Sequence, residues 1–160
     1  MFMPPRYLIQ GYSMATMIDS KKQQLNSQQI IQIALENTKS PYPPAAAYPA
    51  ILTELSQPNS VVKIIGNTLF SVLKGPNNTA FFKAFNADIA SNYVANSRAF
   101  IAEINKSDIN HLVTQFTDPA ILSIIKNAIR TGLPKATGYR IFKNDQDTYT
   151  VVFVLQKLGQ

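Results

Sequence analysis

Polar and apolar positions change their spacing several times along this chain, and each change marks an element. Between Ser27 and Asn37, Ile30, Ile31, Ala34 and Leu35 recur at the spacing of one helical face, and Ser27 offers a hydroxyl to cap the first turn. Prolines at 41, 43 and 44 break the pattern. Pro49 then suits the first turn of a second helix through Leu55, which Pro58 ends. From Val61 the pattern becomes extended. Val61 to Ile65 and Thr68 to Leu73 flank Gly66-Asn67 as a hairpin with a two-residue loop. After the turn-forming Lys74-Gly75-Pro76-Asn77-Asn78, Thr79 to Phe85 supplies a third strand, so the three read as an antiparallel meander.

The second half returns to helical spacing. Asn86 or Asp88 is placed to cap a long helix to about Asn105, with Ile89, Tyr93, Ala95, Phe100, Ile101 and Ile104 on its apolar face. His111 to Phe116 predicts a short strand. Asp118-Pro119 opens a helix with a carboxylate cap and a proline at the first position; Ile121, Leu122, Ile125, Ala128 and Ile129 form its stripe and Gly132 stops it. Gly138 to Phe142 and Tyr149 to Leu155 close the chain as a hairpin across Asn144-Asp145-Gln146-Asp147. Residues 1–26 show little periodicity and read as an extended N-terminal arm. The expectation is therefore an arm over 1–26 and a single α+β domain over 27–160, built on a mixed, mainly antiparallel sheet flanked by helices.

Composition narrows the chemistry. There is no cysteine, which excludes disulfides, thiolate zinc sites and cysteine nucleophiles. Residues 1–10 lack a signal-peptide pattern, and no run approaches the roughly 20 apolar residues of a membrane span, so a soluble chain is expected. Fifteen Lys plus Arg against nine Asp plus Glu give a net charge of +6, which favours polyanions. The basic residues are scattered, however, and Lys21-Lys22 is the only adjacent pair. A nucleic-acid module would need them gathered on one face. Charged residues make up only 15% of the chain, and a weakly charged polar surface suits lasting contact with other subunits.

The order of elements over roughly residues 27–156 resembles the GNAT-type acyl-CoA N-acyltransferases. The resemblance is carried mainly by Phe116-Thr117-Asp118-Pro119-Ala120-Ile121-Leu122, the helix to Arg130, and Gly138-Tyr139-Arg140-Ile141. It implies the GNAT-like fold and, in the family, an acyl-CoA pyrophosphate held by a loop of form Arg/Gln-x-x-Gly-x-Gly/Ala before the long helix. Here that junction reads Phe82-Lys83-Ala84-Phe85-Asn86-Ala87-Asp88-Ile89, without glycine and with a carboxylate where an anion belongs. The expectation is a scaffold without acetyl transfer, without catalytic residues and without a cofactor. Asn67-Thr68-Leu69-Phe70, Phe81 to Asp88 and Leu112 to Pro119 also look like minor virion proteins of tailed bacteriophages. That second resemblance implies a structural role in a virion, assembled in the host cytoplasm, with other structural subunits as partners.

Chemical candidates are few. His111 is the only histidine, so a histidine-pair metal site is excluded, and a capping or surface role fits its strand start. Asn144, Asp145 and Asp147 lack the ligand series of a calcium loop and suit a turn; no metal site is expected. Glu54 and Glu103 read as carboxylates on solvated helix faces. For acyl transfer, the competing enzyme reading, Tyr139 or Tyr149 would be the acid. Partner binding has two candidate surfaces: the Pro/Tyr segment with Tyr42 and Tyr48, and the arm with Phe2, Met3, Tyr7, Leu8, Ile9 and Tyr12. Stiff proline backbone and rigid aromatics lose little entropy on binding. An apolar arm can fill a groove or add a strand.

Overall fold

The computed structural model describes residues 16–37, 44–130, 137–144 and 147–155. The elements follow in the order α1 (Ser27–Asn37), α2 (Pro44–Leu55), β1 (Ser60–Ile65), β2 (Thr68–Lys74), β3 (Thr79–Asn86), α3 (Ala90–Ile104), β4 (His111–Phe116), α4 (Pro119–Arg130), β5 (Thr137–Lys143) and β6 (Tyr149–Leu155). All six strands join one sheet in the order β1-β2-β3-β4-β6-β5. Every neighbouring pair is antiparallel except β3 and β4, which run parallel. The parallel pair follows from α3, which carries the chain from the end of β3 back to the start of β4. The expected α+β architecture is thus the observed one.

Helices cover both faces of the sheet, and β2 is buried between them on both of its faces. Successive strand side chains alternate between faces, so Phe70 and Val72 enter one core with Phe100, Ile101 and Ile104 of α3. Leu69 enters a second core with Ile30 and Ile31 of α1. Thr68 to Val72 are consequently all buried. In the first core Phe70 and Phe100 stack with centroids 4.2 Å apart and planes 3° from parallel, while Phe82 tilts against Phe100 at 5.2 Å.

Three local expectations change. The cap of α1 is Asn26, not Ser27: its Oδ1 accepts from the N–H of Gln29 at 2.8 Å, and its own N–H donates to Gln29 Oε1 at 3.0 Å. This reciprocal pair is the capping box. Helix α2 starts at Pro44 and carries Pro49 inside it. The Ala45-Ala46-Ala47 run favours helix strongly enough to extend it upstream, and Ala45, which would have accepted from residue 49, is exposed to water. In α3, Ala95 faces solvent rather than the core, while Asn92 and Asn96 are buried.

The stretch from Ile18 to Asn26, expected as part of the arm, lies against the domain. Leu25 is buried in the second core, and the N–H of Ile18 donates to the carbonyl of Ala87 at 2.8 Å. Residues 1–15, and with them Phe2, Met3, Tyr7, Leu8, Ile9 and Tyr12, fall outside the described residues, as do Tyr42 and Gly132.

The stacked pair at the centre generates a stability prediction. Phe100→Ala removes a fully buried ring from two aromatic neighbours, Phe70 and Phe82, and is expected to cost about 3–5 kcal/mol, read as a lower urea midpoint at unchanged slope.

Candidate functional site

The residues most constrained by polar contacts gather at the N-terminus of α3. The β1–β2 loop turns at Gly66, whose φ is +57°, and delivers Asn67 into the interior with no exposed surface. Asn67 then behaves as a piece of framework. Its Oδ1 accepts from the N–H of Leu25 at 2.9 Å and from Gln24 Nε2 at 3.1 Å; its Nδ2 donates to the carbonyls of Ile18 at 3.0 Å and Gln23 at 2.9 Å. The buried amide thereby satisfies both its donor and acceptor capacity and fixes the course of residues 18–25.

Asp88 sits beside it, 1% exposed. One carboxylate oxygen accepts from the N–H of Ser20 at 3.0 Å, the N–H of Ile89 at 3.0 Å and Asn92 Nδ2 at 2.9 Å. The other accepts from the N–H of Asn67 at 3.0 Å and Asn96 Nδ2 at 3.1 Å. Burial by itself would raise the pKa of this group. The donors from Ser20, Asn67 and Asn92 outweigh it and hold the carboxyl well below the usual aspartate range. Asn86 locks the approach, since its Oδ1 accepts from the N–H of Asp88 at 3.1 Å and its Nδ2 donates to the Asp88 carbonyl at 3.0 Å. Gly66 is required here twice over: its φ is positive, and an added Cβ would lie 2.6 Å from Asn96 Nδ2 and 2.8 Å from Asp88 Oδ2. The positive end of the α3 dipole therefore already has its anion, supplied by the chain itself.

A cleft opens next to this cluster. The β3–β4 ladder joins Thr79, Ala80 and Phe81 to His111, Leu112 and Val113 and then stops. Beyond it β3 continues to Asn86 and β4 to Phe116 without pairing to each other. The gap forms a cavity of about 260 Å³. Its walls include Phe85 and Leu35 on the α1 side and Phe100, Ile121 and Ile125 on the α3 and α4 side, so it passes through the sheet. Tyr93 and Ser97, one turn apart on α3, are among its polar linings. Burial pushes the Tyr93 hydroxyl up to about 12, leaving it a proton donor across the physiological range.

Sequence-derived candidates distribute unevenly around this geometry. Tyr139 is exposed on β5, and Tyr149 stacks on Phe116 at 5.6 Å; neither lines the cleft. Tyr93 does, and it was legible only as one apolar-face position of α3. Tyr48 is half-buried against the second core. His111 is exposed at its strand start. Glu54 and Glu103, read as solvated, remain open to water and also pair with strand lysines, Lys83 at 2.8 Å and Lys63 at 2.9 Å. Lys74 and Lys143 also face carboxylates. These ion pairs consume cations that a polyanion surface would need. Among the described residues no group of acids and histidines is arranged for a metal ion, and no helix is long and apolar enough to cross a membrane.

Asp88→Asn would place a donor among five donors and is expected to cost about 3 kcal/mol, measured by chemical denaturation at pH 7. The pH dependence has a defined sign. Because folding depresses the pKa of Asp88, its contribution is complete above the unfolded value near about 3.9 and is lost as pH falls from there toward the folded pKa. The wild type should therefore lose stability on acidification below about pH 4 more steeply than Asp88→Asn.

No protein-family model matches the chain, and no curated protein matches it in sequence. Among solved structures, the ribosomal-protein-S18-alanine N-acetyltransferase from Escherichia coli superposes with a TM-score of 0.51 at 6% identity, covering 86% of this chain and 94% of that one. The likeness supports the expected GNAT-like fold and adds nothing to the bacteriophage resemblance. At that identity it speaks of fold alone: this chain carries a GNAT-like α+β fold.

Proposed function

We propose that this protein is a non-enzymatic binding and assembly component that uses an acyltransferase-type scaffold without acyl-CoA. The observation that carries this reading is the Asp88 carboxylate at the N-terminus of α3, fully engaged with donors. A diphosphate seated at that helix end would meet a fixed negative charge. At about 4 Å and an effective dielectric of about 20 the repulsion is about 4 kcal/mol, roughly a thousandfold in Kd. Supporting a docking role, the part of the α1/α2 face of the sheet that those helices leave uncovered exposes Phe81, Val154 and Phe142. Those three lie on one face, because the register aligns Phe81 with Val113 and Val152, and Val154 and Phe142 alternate with the residues facing the first core. The subunits of a virion are the partners suggested by the sequence resemblance.

N-acyl transfer is the competing reading, favoured by the splay of β3 from β4 and by Tyr93 and Ser97 in the cleft. Calorimetric titration with acetyl-CoA separates the two. No saturable heat is expected up to millimolar ligand, and none should appear with Tyr93→Phe. Saturable binding that Tyr93→Phe weakens would replace the assembly reading with the enzymatic one.

A further inference from the structure

Three hydroxyls of the interior stand apart from the polar cluster around Asp88. Tyr93 and Ser97 of α3 and Thr114 of β4 all line the cavity between β3 and β4. Among the described residues none of their side-chain oxygens has a hydrogen-bond partner. Tyr93 is only 7% exposed and Thr114 only 8%, so both are withdrawn from bulk water. Buried polar groups are ordinarily satisfied within a protein, as Asn67 and Asp88 are here. Unsatisfied hydroxyls grouped at one cavity therefore point to a molecule that engages them. The rest of the wall is mainly apolar, with Leu35 and Phe85 toward one end and Phe100 and Ile125 toward the other. Its charged members are already engaged: Lys83 pairs with Glu54 at 2.8 Å, and Asp118 accepts from the N–H of Ala120 at 3.0 Å.

We propose that this cavity binds an uncharged, unbranched small molecule of medium chain length that carries one hydrogen-bond acceptor, set against the Tyr93 hydroxyl. Size, shape, charge and polarity each narrow the class. An apolar cavity of about 150 Å³ holds benzene, so about 260 Å³ has room for roughly ten non-hydrogen atoms on the same scale. Leu35 belongs to α1 and Ile125 to α4, which pack on opposite faces of the sheet, so the cavity is drawn out across the sheet. Direct pairing of Phe81 with Val113 keeps β3 and β4 close at its edge, and a slim chain passes there more easily than a ring system. With Lys83 and Asp118 engaged, an ionised ligand would be stripped of water without a free counter-charge. Burial keeps the Tyr93 hydroxyl protonated, its pKa pushed up to about 12, so it donates, and one placed donor in an apolar pocket fixes a ligand's orientation. The inference deepens the proposed reading and rests on it in one respect, that acyl-CoA does not occupy the cleft. The two fail separately: a silent acetyl-CoA titration with no ligand in the cavity overturns this inference alone, whereas saturable acetyl-CoA binding overturns the proposed function.

Titration of the full chain with methyl hexyl ketone, followed by amide chemical shifts at pH 7, tests it. Saturable shifts are expected at Phe85, Tyr93, Thr114 and Phe116. Octanoate, of similar length but ionised, should bind about tenfold or more weakly. Tyr93→Phe keeps the ring and removes only the donor, and should weaken the ketone about fivefold, with the amides of Leu25 and Asn67 unmoved as markers of the intact fold. The absence of saturable shifts up to the solubility of the ketone overturns the inference. So do shifts confined to the exposed Phe142 and Val154, octanoate binding as tight as that of the ketone, or a Tyr93→Phe variant that binds the ketone as well as the wild type does.

Discussion

A buried carboxylate at the start of a helix organises this molecule. Asp88 draws one donor from the segment before α1, one from the β1–β2 loop, one from the start of α3 and two from the exposed-looking asparagines on α3 itself. Each of those donors would be costly to bury alone, and the carboxylate would be costlier still. Together they are satisfied, and removing the carboxylate would leave its five donors without it. This coupling ties together three parts of the chain that are distant in sequence. It also explains why Gly66 has no room for a side chain and why Asn67, in a loop, is among the most enclosed residues of the domain.

The same cluster shapes the functional reading. A helix N-terminus at the mouth of a splayed parallel pair is a place where an anionic ligand is held easily. Here the position is filled from within, and the depressed pKa of the filling group keeps it charged under ordinary conditions. What remains open is the apolar part of the cleft, lined by aromatic rings and isoleucines. The scaffold therefore retains the geometry of a GNAT-like fold while a carboxylate of the chain itself occupies the helix end where an anionic ligand would sit.

Much of the fold was legible because hydrophobic spacing records burial directly. The strand from Thr68, the Gly66-Asn67 hairpin and the Asp118-Pro119 start of α4 all follow from local rules, and the structure has Ala120 N–H donating to Asp118 Oδ1. The helical extent of α2 was not legible, since Pro49 suggests a start and only the alanines before it reveal an earlier one. The role of residues 18–25 was equally hidden. Their apolar content is small, and Ile18, Gln23 and Leu25 are held largely through the side chain of a single distant asparagine. The site was half visible: Asp88 stood out as a negative charge at an anion position, but nothing local shows that Asn92 and Asn96 turn inward to meet it. Polar residues that satisfy one another in the interior carry no hydrophobic signature.

The protonation state of Asp88 is the most direct measure of the account. Its side-chain carboxyl carbon, followed by NMR from neutral pH downward, should show no titration through the ordinary aspartate range near about 3.9, with any change coinciding with acid unfolding. A normal midpoint in that range, in a chain still folded, would show that the five donors do not hold the charge and would remove the basis for reading the anion position as filled.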